Sequence, residues 1–479
     1  MRLPASRSPV WVLLETATSA LFSLGSMLLI SRVIGPDATG TAMIAVAAFL
    51  LLDVAGASLF TDAVVRIGRL EQRHAATAIT GATLVGAAAG LLLAIAGPWL
   101  ARGADAPLVA SLCLALAPLL PVSAFSGAAS GLILREHRFA LLALRVLLGA
   151  PLALTVGLAM AAGGVGPWAI VANQAVATLT AFVLVAAFGR LRVGPKLDRA
   201  ALREMWPVAA PQVLAVFVMV GKYRVFLLAL GFLAAEAVVA VCHVAFRMLD
   251  AALVVVWQAG ARIGMARLCA LQDDREAMAE AYGDLAQLMA LLGLPLSLGI
   301  ALTAPDLVHA LLGPEWREAA TAAQVVGLAA CVTFLQGDFV SLFVAAGKAH
   351  RNLAYAAIFM AIPLAALIVF QPATPLGIAL CWAAQSLAMP IVLLPPVLKL
   401  VRRSPLWLLG RIWPALLAAG CMAGAVLGVQ AALTRPPAQE LAAASVLGAA
   451  VYLGVAWLAL GGQPPVALRR RGLRPVPAE

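Results

Sequence analysis

The stretch Phe217–Gln258 reads FVMVGKYRVFLLALGFLAAEAVVAVCHVAFRMLDAALVVVWQ and places charged residues inside two apolar runs. The ionisable residues that interrupt these runs are Lys222, Arg224, His243, Arg247 and Asp250. At helical spacing the last three fall within roughly 60° of one another. A charge at bilayer depth costs at least about 2.5–3.5 kcal/mol, so such residues usually face partners or a water-filled cavity. The stretch therefore predicts two membrane helices that line a polar cavity.

The whole sequence has the composition of an integral membrane protein. Hydrophobic residues make up 63% of the 479 positions and charged residues only 11%, and the mean hydropathy is +1.00. A soluble domain of this length does not tolerate that composition. The net charge of +11 does not indicate a nucleic-acid partner here, because the basic residues lie mainly between apolar segments. We predict an all-α integral membrane protein.

Apolar segments close to the ~20 residues that cross a bilayer recur about fourteen times, and the first two are 10–34 and 41–65. With the N-terminus in the cytoplasm and alternating sides, most of the 33 Lys and Arg residues fall on the cytoplasmic side. The exceptions on the opposite side are Arg32, Arg102, Arg317 and Arg435. Because basic loops stay in the cytoplasm, both termini are predicted to be cytoplasmic.

An internal repeat predicts two lobes. Aligning Asp53 with Asp250 places FLLLD (Phe49–Asp53) on FRMLD (Phe246–Asp250). Six predicted helices separate the two copies, so both halves keep one orientation and are related by an axis along the membrane normal. Asp53 and Asp250 should then face a central cavity from opposite lobes.

The predicted organisation has five parts. They are an N-terminal lobe (1–190), a cytoplasmic linker (191–206), a C-terminal lobe (207–400), two additional helices (401–461) and a basic cytoplasmic tail (462–479). In the linker, Leu197, Leu202 and Trp206 could lie against lipid headgroups as an amphipathic helix. The alternative is that its charges only anchor the topology. The basic tail Arg469–Arg474 suits contact with anionic lipid.

Three stretches resemble bacterial polysaccharide-export flippases of the multidrug/oligosaccharidyl-lipid/polysaccharide (MOP) superfamily. SRVIGPDATGTAMIAVAAFLLLD (Ser31–Asp53) resembles the family's first hinge and second helix, and DRAALREMWPVAAPQVLAVF (Asp198–Phe217) resembles its linker and seventh helix. Leu271–Ala330, which contains LLGPEW (Leu311–Trp316), resembles the ninth helix, an outward loop and the tenth helix. The resemblance implies two six-helix lobes plus two helices, which work by alternating access in the bacterial inner membrane. The segment VGKYRVF (Val220–Phe226) departs from the family pattern.

The substrate that this resemblance implies is a polyprenyl-diphosphate-linked oligosaccharide. A diphosphate requires fixed cations, and Arg suits two-pronged phosphate contact. The candidate substrate-binding residues are Lys222, Arg224, His243 and Arg247. The alternative is that the cations pair internally with carboxylates, and His243 could either titrate or only bond its neighbours. Arg145 lies near the cytoplasmic edge, where we expect its side chain to extend towards the headgroups.

Four carboxylates are candidates for ion coupling or charge pairing: Glu15, Asp53, Asp250 and Asp338. Each could carry H+ or help to bind Na+ during transport, and the sequence leaves both ions open. No other cofactor is expected. Membrane lipid, a polysaccharide polymerase and chain-length machinery are the further candidate partners.

Two other functions compete with the flippase. One is a cation-coupled multidrug antiporter on the same fold, although basic cavity residues disfavour a cationic drug. The other is a membrane glycosyltransferase or polymerase, which would need a large outward loop with catalytic residues, and the sequence has none. No P-loop, HExxH or nucleophile-elbow pattern is present either. We therefore do not expect an enzyme.

Overall fold

A computed structural model describes residues 10–189, 194–432 and 437–468 of the chain. Within these ranges the protein forms sixteen α-helices, two short 3₁₀ turns and no β-strand. The N-terminus and the basic tail Arg469–Arg474 lie outside the described residues, as does the start of the predicted linker. The predictions about them remain predictions.

The first nine helices begin with one that contains a sharp kink. Their bounds are α1 Val10–Ser58, α2 Thr61–Arg66, α3 Gln72–Gly103, α4 Leu108–Leu116, α5 Leu119–Arg135, α6 Phe139–Ala162, α7 Trp168–Phe188, α8 Arg199–Gly231 and α9 Glu236–Cys269. The kink is at Gly35, whose φ is 80° and ψ is 173°, and Pro36 follows it. A residue with a Cβ rarely adopts that positive φ. The break lies between the predicted spans 10–34 and 41–65, so α1 runs through the first of these spans and most of the second.

The remaining seven helices include one interrupted span. Their bounds are α10 Arg275–Leu312, α11 Arg317–Phe334, α12 Phe339–Ala345, α13 His350–Phe370, α14 Pro375–Val401, α15 Pro405–Ala432 and α16 Pro437–Ala459. A 3₁₀ turn at Pro314–Trp316 joins α10 to α11.

In the described part, twelve helical stretches are long and apolar enough to cross a membrane. The first, Val10–Arg66, has 57 residues, which is more than twice the ~20 needed for one crossing. The helix α8 has 33 residues and is not one of the twelve. Counting two crossings for the first stretch and one for α8 gives the fourteen helices that the sequence predicts.

The chain forms two compact units. Unit 1 contains Met1–Val244 and Phe370–Thr374, and unit 2 contains Ala245–Val369 and Pro375–Glu479. The division falls inside α9, whereas the repeat places a lobe boundary at 191–206. The predicted division into two lobes is based on the sequence repeat, and it stays a prediction.

The linker lies against α3 in unit 1. The backbone N–H groups of Lys196 and Asp198 donate to the hydroxyls of Thr80 and Thr77, at 3.2 and 3.0 Å. The carboxylate of Asp198 then caps α8 by accepting from the N–H groups of Ala200 and Ala201. These two bonds hold the pKa of Asp198 below its usual value.

The first turns of α8 are partly buried in protein. Leu202 packs against a core cluster formed by α2, α3 and α5, in which Met205 is 1% exposed. Leu197 and Trp206 are exposed. His74 of α3 is buried and its Nε2 lies 2.9 Å from a carboxylate oxygen of Glu204. Leu202 thus packs partly against the core, whereas Leu197 and Trp206 are the exposed members of the trio predicted to contact headgroups.

Candidate functional site

The carboxylate of Asp53 and the guanidinium of Arg224 are brought together within unit 1. Asp53 lies on α1 and is hydrogen-bonded to the side chain of Ser123. Its carboxylate also interacts electrostatically with Arg224 of α8. The other oxygen, Oδ1, is buried and no described residue is hydrogen-bonded to it. The sequence predicted both residues as site candidates but gave them different roles.

Tyr223 and His243 form a second contact, between α8 and α9. The phenol oxygen of Tyr223 lies 2.7 Å from Nδ1 of His243. The two rings are stacked with centroids 5.8 Å apart and an interplanar angle of 27°. Lys222 and Arg224 flank Tyr223 in the sequence, and all four side chains are half-buried. His243 therefore bonds a neighbour, which was one of the two predicted alternatives.

Arg247 and Asp250 belong to unit 2. Arg247 is half-buried and Asp250 is exposed. Between them Met248 and Leu249 are buried, and the ring of Phe246 stacks on Trp382 of α14 at 5.4 Å. The predicted equivalence of Asp53 and Asp250 stays a prediction, because each residue lies in a different unit.

Glu15 is paired with a cation inside unit 1. Its Oε1 lies 3.3 Å from Nη2 of Arg145, and Nη1 of Arg145 donates to the hydroxyl of Ser130 at 2.6 Å. Both charged side chains are about three-quarters buried. The expectation that Arg145 extends towards the headgroups is wrong, because a carboxylate and a hydroxyl within the helix bundle satisfy it.

Asp338 caps a short helix in unit 2. It precedes α12, and its carboxylate accepts from both the N–H and the hydroxyl of Ser341. Asp338 is 3% exposed. It lies at the interruption between α11 and α12. The hydroxyl of Tyr282 donates to the carbonyl of Gln336 in the same interruption. These bonds give Asp338 a structural role that the sequence analysis did not predict.

A family model described as a polysaccharide biosynthesis protein matches residues 29–321. This range is more than half of the chain, and it contains the hinge, the linker and the LLGPEW segment. The chain belongs to the polysaccharide biosynthesis protein family. The predicted family resemblance is therefore confirmed. No curated protein matches the sequence.

Solved structures share the fold of this polysaccharide biosynthesis protein. The lipid II flippase MurJ in an inward closed conformation gives a TM-score of 0.76 at 13% identity, covering 94% of this chain and 98% of that chain. An inward-facing multidrug resistance MATE transporter of the MOP superfamily gives 0.68 at 16% identity, covering 81% and 98%. A MOP superfamily transporter from Pyrococcus furiosus gives 0.52 at 17% identity, covering 83% and 96%. The predicted all-α transporter fold is confirmed.

The structure of this family member adds one contact that the sequence analysis missed. The carboxylate of Glu236, the first residue of α9, accepts a hydrogen bond from the hydroxyl of Thr41 on α1. A Cβ at Gly40 would overlap the carbonyl oxygen of Glu236. With Asp53 aligned on Asp250, the repeat places Val33–Gly40 on Leu230–Ala237, which includes Glu236, but an alignment of two repeat copies does not itself predict a contact between them.

Proposed function

We propose that this protein moves a polyprenyl-diphosphate-linked oligosaccharide or exopolysaccharide repeat unit across the bacterial inner membrane by alternating access. The observation that carries the proposal is membership of the polysaccharide biosynthesis family over residues 29–321. The fold is that of transporters, and one solved structure with this fold is a lipid II flippase. A lipid-linked substrate is consistent with both.

The charge of α8 and α9 supports an anionic substrate. Lys222, Arg224 and Arg247 are half-buried cations in apolar helices. A charge-assisted hydrogen bond to phosphate contributes about 1.5–3 kcal/mol, and weak screening in a partly desolvated cavity strengthens its effect. We assign these three residues and His243 to the diphosphate and the adjoining sugar.

Asp53 is the carboxylate that we favour for carrying H+ or Na+. Of the other candidates, Glu15 is paired with Arg145, Asp338 caps α12, and Asp250 is exposed. Asp53 keeps one buried oxygen to which no described residue is hydrogen-bonded, and its carboxylate interacts electrostatically with Arg224. Binding of an ion at Asp53 would thus change the electrostatic potential at Arg224, which is one of the proposed substrate-binding residues.

The test is the transport of a lipid-linked saccharide in cells and in vesicles. Deleting the gene should cause polyprenyl-diphosphate saccharide to accumulate on the cytoplasmic side and surface polysaccharide to fall. At matched protein levels, Lys222→Ala, Arg224→Ala and Arg247→Ala should each weaken substrate binding about tenfold to a hundredfold, the range for one charge-assisted bond. Arg247→Lys should rescue only partly, because it keeps the charge but loses the two-pronged geometry.

Arg102→Ala serves as the control, since Arg102 is an exposed residue in the last turn of α3. If Lys222→Ala, Arg224→Ala and Arg247→Ala all give normal amounts of surface polysaccharide, these cations have a structural role. Loss of drug resistance with normal polysaccharide in the deletion strain would instead support a multidrug antiporter.

A further inference from the structure

A cavity of about 440 Å³ lies in unit 2 at the junction of α10 and α11. Its lining includes Asp306, His309 and Arg317, together with Gly313 and Pro314 from the connecting turn. Gly313 has a φ of 95°, and this left-handed conformation ends α10 so that α11 can begin beside it. The volume is within the range of small-molecule binding sites.

The charged side chains of this cavity are not satisfied by the protein. Asp306 is half-buried, while His309 and Arg317 are exposed. In the portion of the chain that the structure describes, no group hydrogen-bonds or forms an ion pair with the side chain of any of the three. Asp306 and His309 are three residues apart on α10 and therefore project from neighbouring positions on one face. The cavity thus presents an anion and a cation to its contents.

The position of the cavity limits what can enter it. Two membrane-crossing stretches, Arg275–Leu312 and Pro314–Ala345, meet at this point. The end of a crossing helix lies at the level of the lipid headgroups. Leu311 is 37% exposed at the same helix end, so apolar surface adjoins the ionisable residues of the lining. A ligand with a polar head and an apolar tail matches this arrangement.

We propose that this cavity binds a zwitterionic lipid headgroup of the phosphoethanolamine class. The guanidinium of Arg317 would bind the phosphate diester by charge-assisted hydrogen bonds. The carboxylate of Asp306 would accept from the primary ammonium, and His309 would donate to a phosphate oxygen. This site is separate from the charged residues of α8 and α9 and does not depend on the proposed transport function.

Lipid selectivity of the purified full-length protein tests the proposal. Detergent-solubilised protein is titrated with phosphatidylethanolamine, phosphatidylglycerol and phosphatidylcholine, and bound lipid is counted by native mass spectrometry. Phosphatidylethanolamine should bind best, because phosphatidylglycerol lacks the ammonium and phosphatidylcholine lacks its N–H donors. Asp306→Asn should weaken phosphatidylethanolamine binding about tenfold, the lower limit for a charge-assisted bond, and leave phosphatidylglycerol unchanged. Arg317→Gln should weaken both.

Glu318→Gln is the matched control, since Glu318 is an exposed neighbour of Arg317 outside the cavity lining. Unfolding temperatures without added lipid verify that each variant is folded. Equal binding of the three lipids, or Asp306→Asn and Arg317→Gln values equal to the control, would overturn the proposal. Tighter binding of soluble glycerophosphoethanolamine than of the lipid would overturn the assignment to a membrane headgroup.

Discussion

At the scale of single residues, we base the first functional prediction on the electrostatic interaction between Asp53 and Arg224. A carboxylate on α1 and a guanidinium on α8 interact inside one unit. Removing either charge leaves the other partly desolvated, which costs more than the pair itself contributes. Transport should therefore be more sensitive than membrane insertion to changes at these positions.

We predict that Asp53→Asn inserts normally but slows transport, and that Asp250→Asn does the same. The Asp53→Asn and Arg224→Gln changes should also be non-additive, with a coupling of about 0.5 kcal/mol or more, as found for residues in contact. Saccharide transport into vesicles and unfolding temperatures in detergent measure the two effects. Asp62→Asn is the control, because Asp62 lies in the first turn of α2 and is not one of the four candidate carboxylates. Wild-type transport by Asp53→Asn at matched protein level would contradict the prediction.

At the scale of helices, α1 and the start of α9 approach each other closely in unit 1. Glu236 accepts from Thr41, and its carbonyl oxygen occupies the space beside Gly40. The contact requires glycine because any Cβ would overlap a backbone atom, which cannot move like the end of a flexible side chain.

Gly40→Ala should lower the unfolding temperature and reduce transport, since overpacking of this kind costs about 1–3 kcal/mol. Gly25→Ala on the same helix is the matched control, because nothing lies within 4 Å of a Cβ there. That change should leave stability equal or raise it through better helix propensity, by up to about 1 kcal/mol. If Gly40→Ala behaves like Gly25→Ala in a thermal unfolding assay, the close approach is not present in the protein.

The N-cap of α8 should respond to acid. The N–H groups of Ala201 and Ala200 lower the pKa of Asp198 in the folded protein, so the carboxylate stabilises the fold at any pH above its unfolded pKa of about 3.9. That contribution is lost as the pH falls through the lower folded pKa. At neutral pH, Asp198→Ala should therefore lower the unfolding temperature, and Asp198→Asn should do so less, because Asn also caps helices.

The difference between wild type and Asp198→Ala should shrink in acid below the folded pKa. Unfolding temperatures of both proteins across pH 3 to 7 (roughly the range around an Asp carboxyl) test this. A difference that is constant across the range would mean that the carboxylate charge does not stabilise the cap.

At the scale of the whole molecule, the distribution of basic residues predicts the membrane topology. Loops at Arg135–Phe139, Arg190–Arg203 and Lys348–Arg351 should be cytoplasmic, together with both termini, whereas His309–Ala319 should face outwards. Single cysteines in these loops, on a cysteine-free background, are tested with a membrane-impermeant thiol reagent on intact cells. Only His309–Ala319 should be labelled before the membrane is opened. Strong labelling at Arg190–Arg203 from outside would refute the topology.

Arg135 and Arg138, in the predicted cytoplasmic loop Arg135–Phe139, also form hydrogen bonds within the protein. Arg135 donates to the carbonyl of Val64 within α2 and to that of Gly68 beyond the end of α2, both at 2.9 Å. Arg138 donates to Phe188 and Gly189 at the end of α7. The same residues can thus orient the protein in the membrane and satisfy the last carbonyls of its helices.

The sequence by itself determined the fold class, the number of crossings and the family. Those properties depend on the length and apolarity of each segment and on a backbone break at Gly35, and each is local to a stretch of chain. The tertiary structure decided three features: the pairing of Arg145 with Glu15, the capping role of Asp338 and the packing of Leu202 against the core. Each depends on which helices are neighbours. In a Leu- and Ala-rich bundle, many helix faces are equally apolar, so periodicity alone does not select the partner that a buried charge meets.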